Sequence, residues 1–222
     1  MTHPSTRIHA LVLCTSLLAA TTAHANLLSN GSFESGSFIN QGSDTMSLAA
    51  GSTAISGWTV VTDTTAWIGP TNPFGLSASD GSFFLDLTNY QTGSPFAGMS
   101  QVIATTPGAT YALSFDLGGS TFWGRPDAIT ASAAGTSATF TTPKTGSNNE
   151  WQHVSMQFTA SSNLTTVLLQ GVAGSQYIGL DNASVDFVSA PAVPEPGTWA
   201  LMVAGLAALG AAAGRRTRPS RT

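Results

Sequence analysis

The sequence predicts an all-β domain, and three observations carry that prediction. Large apolar residues alternate with small or polar ones in several short segments. Clusters rich in Gly, Pro and Asn separate those segments, and nothing ahead of the C-terminal tail sustains an apolar stripe at helical spacing. Many short strands joined by Gly-rich turns point to a sandwich or jelly roll rather than a parallel sheet.

The clearest strand runs from Tyr111 to Leu117, where Tyr111, Leu113, Phe115 and Leu117 share one phase and Ala112, Ser114 and Asp116 the other. That two-residue period is the signature of a half-buried strand. Val154, Met156 and Phe158 alternate with Ser155 and Gln157 in the same way. Val167 with Leu169, and Val185 with Phe187, give two more strands; Ser82 to Leu87 and Met99 to Ile103 are shorter candidates. Turn formers stand between them at Asp80-Gly81, Pro107-Gly108, Gly118-Gly119 and from Thr145 to Asn149.

Both ends of the chain are set apart from this domain. Arg7 precedes an apolar run from Ile8 to Ala20, and Ala23-His24-Ala25 supplies a small-x-small cleavage site that makes Asn26 the first mature residue. The run is shorter than the about 20 residues a bilayer span needs, so residues 1–25 read as a cleaved signal peptide. The one cysteine, Cys14, lies inside that signal behind Leu13. Lipidation at Cys14 is rejected because no small residue precedes it, and the mature chain then has no thiol for disulfides or metal. The expected domain is residues 26–190, about 165 residues and ample for one core.

Residues 191–222 form a different block. Pro194, Glu195 and Pro196 open it, an apolar run from Trp199 to Gly214 follows, and Arg215, Arg216 and Arg218 close it. Such a run is a short helix able to enter a bilayer, with its positive end held on the cytoplasmic side, while the prolines stop the helix from extending backwards. An ordinary single-pass anchor has the same composition. The order of motif, helix and arginine cluster closely resembles the PEP-CTERM sorting signal, with Pro194-Glu195-Pro196 as the motif. The resemblance implies an exosortase-type sorting protease as partner and transient residence of the helix in the inner membrane. Processing would then leave the product at the cell surface, outer envelope or extracellular matrix of a bacterium that makes exopolysaccharide.

Net charge adds a further bound. The chain has 7 basic and 11 acidic residues, but only Arg125 and Lys144 among the basic ones fall between Asn26 and Ala192. An acidic domain of this kind excludes nucleic acid as a partner, because phosphate binding needs clustered Lys and Arg. It suits cations or neutral polymers.

The domain also resembles a family. Its opening, Asn26 through Asn30-Gly31-Ser32-Phe33-Glu34, is similar to that of galactose-binding-like jelly rolls, which include many carbohydrate-binding modules, and Ile55-Ser56-Gly57-Trp58 resembles their next landmark. Ser100-Gln101-Val102-Ile103, Thr105 to Tyr111, Leu113 to Asp116, Gly81 to Leu87 and the closing Gly179 to Val185 are together similar to the bacterial choice-of-anchor C domain. Phe38 to Gly51 and Thr121 to Thr136 match more loosely. The resemblance implies a jelly-roll β-sandwich exported to the envelope or matrix, touching polysaccharide and without enzymatic activity. It also implies a structural calcium joining first and last strands, with Glu34 and Asp181 as oxygen ligands and backbone carbonyls completing the shell. The alternative is that Glu34 pairs with a backbone amide and Asp181 caps a turn. No other cofactor is expected.

Catalysis finds little footing in the residues. The mature domain has one histidine, His153, on the polar phase of its strand, and no Gly-x-Ser-x-Gly elbow. Asp80 with Asp86, or Asp116 with Asp127, are candidate carboxylate pairs that read equally well as turn and surface acids. Carbohydrate binding needs exposed aromatic faces beside hydrogen-bonding groups. Trp67, Tyr90, Phe122 and Trp123 lie in loop-like stretches, and Arg125 and Asp127 follow Trp123 closely enough to bond sugar hydroxyls. Trp58 is expected in the core. The function expected is therefore that of an exported, non-catalytic polysaccharide-binding protein. The alternative is a structural or adhesion protein of the matrix with a protein partner.

Overall fold

A computed structural model of the chain describes residues 26–119, 126–142, 150–191, 197 and 201–208. The leader at 1–25, the sorting motif Pro194-Glu195-Pro196, and Phe122, Trp123 and Arg125 lie outside those residues. Eleven strands follow one another: β1 (Thr45–Leu48), β2 (Thr59–Val61), β3 (Thr65–Ile68), β4 (Phe84–Asp86), β5 (Gly98–Ala104), β6 (Thr110–Gly119), β7 (Ala128–Ala133), β8 (Thr136–Thr141), β9 (Glu150–Thr159), β10 (Leu164–Ala173) and β11 (Gly179–Ser189). They form a six-stranded sheet in the order β1-β3-β4-β11-β6-β9 and a five-stranded sheet in the order β2-β5-β10-β7-β8. Of the described strands, only β3–β4 and β7–β8 are consecutive within one sheet; every other step crosses between sheets. This is the all-β jelly-roll sandwich that the periodicity predicts.

Alternation sets the register. Antiparallel pairing places Tyr111 beside Phe158, Leu113 beside Met156 and Phe115 beside Val154, so the apolar phases of β6 and β9 share the inner face. Tyr111 and Phe158 stack at 5.5 Å. Met99 and Ile103 of β5 pair with Leu169 and Thr165 of β10, and the buried side chains of both sheets join one core with Phe33, Ile55 and Trp58. The residue pattern misses β3, whose four residues Thr65, Ala66, Trp67 and Ile68 are all buried. The cause is a second layer: the connection from residue 69 to 83 folds over the outer face, sealing Ala66, Ile68, Leu76, Phe84 and Tyr177 into a satellite cluster. A strand covered on both faces loses its polar phase.

The opening segment docks on the closing strand. Asn26 Oδ1 accepts from the Leu28 and Val185 amides, and its Nδ2 donates to the Ala183 carbonyl. The Ala183 amide donates to the Gly31 carbonyl at 2.9 Å, and a Cβ at Gly31 would stand 1.9 Å from the Ala183 oxygen. Only glycine permits that approach. At the far end of β11, Pro191 packs where a Cβ on Gly108 would stand, 3.1 Å from the ring. Residues 201–208 are helical and exposed. Among the described residues no helix is long and apolar enough to cross a membrane.

Trp67 corrects the expectation of an exposed platform. It is 1% exposed, its Nε1 donates to the Phe33 carbonyl at 3.0 Å, and Phe38 and Phe83 pack on it at 5.2 and 5.5 Å. Its loop-like neighbours in sequence hide a strand clamped between the core and the N-terminal segment. Trp67→Ala is expected to cost about 3–5 kcal/mol of stability, read as a lowered urea midpoint, with Trp67→Phe losing distinctly less.

Candidate functional site

The residues that form a cleft lie at the end of the sandwich where β11 begins. Phe74, Leu76, Asp86, Tyr90, Gln176 and Tyr177 enclose a cavity of about 240 Å³ with an apolar wall. Phe74 comes from the β3–β4 connection, Tyr90 from the β4–β5 loop, and Gln176 and Tyr177 from the β10–β11 loop. Phe74 and Tyr90 are 37% and 38% exposed, and their rings meet at 5.6 Å with a 46° tilt. Tyr177 is buried and forms the inner wall, its hydroxyl lying 2.5 Å from where a Cβ on Gly179 would be. Gln176 contributes an exposed amide at the mouth.

Asp86 fastens two of the three walls together, those of the β4–β5 and β10–β11 loops. It is wholly buried, yet Oδ1 accepts from the Thr88 amide, the Thr88 hydroxyl and the Ile178 amide, each at 2.9 Å. Oδ2 accepts from the Tyr90 amide at 3.1 Å. Those bonds hold Asn89 and Tyr90 in the left-handed region, at φ of 48° and 66°, which non-glycine residues adopt only under constraint. Burial pushes the Asp86 pKa up to about 6 against the opposing backbone and Thr88 hydrogen bonds. Burial also raises the Tyr90 phenol, with hydrogen bonding to Thr45 opposing and the Asp86 charge reinforcing.

Asp181 does the same work one strand away. Oδ2 accepts from the Ser79 amide at 2.8 Å, the Ser79 hydroxyl at 3.1 Å and the Asp80 amide at 3.0 Å, while Oδ1 accepts from the Asn182 amide at 2.7 Å. Its pKa is also pushed up to about 6 by burial, the amide bonds opposing. Glu34 Oε1 accepts from the Ser82 and Phe83 amides at 2.7 Å each, and Ser32 donates to Asp80. The calcium implied for Glu34 and Asp181 does not fit this arrangement. Glu34 Oε1 and both Asp181 oxygens accept from N–H and O–H donors, whereas a calcium shell needs converging oxygens, and the described residues contain no group of three His, Cys, Asp or Glu side chains that could hold a metal. Amide capping of the 79–83 turn stands where an ion was expected.

The other predicted residues separate. Among the described residues expected to bind carbohydrate, Tyr90 alone reaches the cleft. Asp127 is 0% exposed, set beneath the start of β7 against Gly119 and Thr142, so its carboxylate is not offered to a sugar in solution. His153 Nδ1 lies 2.7 Å from Asp116 Oδ1, and Asn182 donates to Asp116 Oδ2 at 3.0 Å. Nearby, Ser184 donates to Asp186 and accepts from Ser114, so these hydroxyls are committed to each other and not to the imidazole. Trp151 donates to the Ser77 carbonyl and packs edge-on against Phe84. Sequence reasoning missed Phe74, Gln176 and Tyr177. The Pro73-Phe74-Gly75 turn, with an aromatic at a loop tip, was the available signal for the first.

Titration of the two buried carboxylates has a defined sign. Each holds its proton to about pH 6 when folded and to an ordinary carboxylate pKa when unfolded, so stability is fully present below about pH 4 and is lost as pH rises through 6. The pair is worth on the order of 3 kcal/mol per group. Urea midpoints are therefore expected to rise between about pH 7 and pH 5, and Asp86→Asn is expected to flatten that rise.

No curated protein matches the chain. Residues 192–218 match the PEP-CTERM protein-sorting motif, a signal for export and surface sorting. Among solved structures, one described as family 4 carbohydrate-binding module structure and function aligns at 17% identity and TM-score 0.43, covering 72% of this chain and 99% of that one. A family 61 module in complex with beta-1,4-galactotriose aligns at 18% identity and TM-score 0.45, covering 74% and 99%. A family 35 module from Clostridium thermocellum aligns at 12% identity and TM-score 0.40, covering 64% and 91%. These alignments are loose, and the sandwich architecture rests on the strand pairing itself. More than half of the chain, residues 26–179, matches the family described as protein of unknown function DUF642, and the chain belongs to that family.

Proposed function

We propose that this protein is an exported, non-catalytic carbohydrate-binding protein that takes a glycan of the cell surface or matrix in the Phe74–Tyr90 cleft. The observation that carries the reading is a tilted, half-exposed aromatic pair beside the Gln176 amide, with Tyr90 and Gln176 on loops that Asp86 pins. A pyranose C–H face packs on such rings while its hydroxyls bond a neighbouring amide. The bonding of Asp86, the acid in the cleft lining, agrees with binding rather than catalysis. Asp86 spends its oxygens on protein donors, and a general acid or base must keep one oxygen for substrate. An exosortase-type protease acting at Pro194-Glu195-Pro196 would process the tail, with the apolar run resident in the inner membrane until then and the domain left at the surface or in the exopolysaccharide matrix.

One observation favours the structural reading instead. Val102 and Leu164 are 59% and 64% exposed and lie diagonally on the outer face of β5 and β10, a pair that contact between proteins would cover. Self-association measured by sedimentation, lost in Val102→Glu, would support it.

The deciding measurement is binding of the full chain, in mild detergent, to an array of bacterial and plant polysaccharides. Tyr90→Ala and Phe74→Ala are each expected to weaken binding about tenfold or more, with folding intact by circular dichroism. Background signal on every glycan for the folded wild type would end the carbohydrate reading.

A further inference from the structure

A second concavity adjoins the cleft. The Thr92–Ser175 bridge and the hydrogen bond from the Gln176 amide to the Gln91 carbonyl, at 2.9 Å, join the β4–β5 and β10–β11 loops into a short ribbon. Tyr90 and Gln176 stand at one end of it. At the other end Gly93, Ser94, Val172, Ala173 and Thr141 line an open groove of about 510 Å³ floored by Phe96. From Tyr90 to Gly93 is three residues, a span of about 10 Å in extended chain, so an oligosaccharide leaving the cleft along the ribbon reaches the groove within a few sugar units.

The two sheets differ sharply in charge. Asp86, Asp116, Glu150, Asp181 and Asp186 all lie on strands of the six-stranded sheet, and the five strands of the other sheet carry no charged residue at all. The groove sits at the end of that neutral sheet, with β10 and β8 supplying Val172, Ala173 and Thr141. Among the described residues there are ten acids and no lysine or arginine. The described lining of the groove offers a polyanionic glycan no cation, whereas a neutral one meets hydroxyl, backbone and small apolar surface.

We infer that the Gly93–Val172 groove is a second subsite for the same ligand as the cleft, and that this ligand is a neutral polysaccharide bound as an extended chain across both. The inference rests on the carbohydrate reading of the cleft. Its consequence is that affinity grows with chain length, because a second contact on a tethered sugar acts at high effective concentration.

The test is calorimetry of the full chain with neutral gluco-, galacto- and xylo-oligosaccharides from disaccharide to hexasaccharide, and with a uronic-acid series. In the series that binds, the hexasaccharide is expected to bind about tenfold tighter than the disaccharide. Val172→Glu should remove that gain while leaving disaccharide affinity unchanged, and Leu164→Glu, at the other end of β10, should change neither. Tyr90→Ala should weaken every length. Length-independent affinity, a hexasaccharide gain that survives Val172→Glu, or preference for the uronic-acid series would overturn the second subsite while leaving the cleft standing. Failure of all oligosaccharides with a folded wild type would overturn both.

Discussion

Asp86 is a charge-bearing group with no access to water, and the geometry of the cleft follows from how that problem is met. An ionised carboxylate without partners in such a place would be prohibitively expensive. Four donors from two different loops converge on it, which brings the Tyr90 and Ile178 amides onto one carboxylate. The position of the Tyr90 ring is thus a by-product of satisfying Asp86. Asp181 repeats the device on the neighbouring strand, where it gathers the turn at Ser79 and Asp80 and so anchors the connection that delivers Phe74. Two buried acids, each answered chiefly by backbone amides, arrange all three walls of one cavity.

The same logic explains which parts of the structure are legible in the residues. Strands β6, β9, β10 and β11 each have one face on the core and one outside it, so period-two alternation declares them. β3 is covered on both faces, by the core and by the satellite cluster, and its pattern falls silent. The aromatic residues follow suit. Trp67, in a stretch of threonines, looks like a loop residue because Thr65 is itself buried and bonded to the Asp86 carbonyl. Tyr90 is identified correctly as an exposed loop aromatic, but its partners come from segments 16 and 86 residues away in sequence (90 − 74 and 176 − 90). Only tertiary contact assembles that set.

Glu34 and Asp181 show a different limit. Acidic residues near the first and last strands suit either a hard cation or a cluster of amides, and the residue types alone do not separate the two. What separates them is the direction of the surrounding dipoles. Gly81, at φ of 72°, lets the 79–83 turn present its N–H groups inward, toward Glu34 on one side and Asp181 on the other. Carbonyls pointing inward from the same turn would have made the opposite choice.

The placement of β11 bears on how the protein meets its surroundings. The strand opens at Gly179 beside the cleft and ends at Ser189, with Pro191 seated over the β5–β6 turn. Eleven residues of strand span roughly 35 Å, so the point where the chain leaves the sandwich and the mouth of the cavity are at opposite poles. Attachment through the C-terminal segment, as proposed above, would act as a stalk that holds the aromatic mouth at the full height of the domain from the point of attachment.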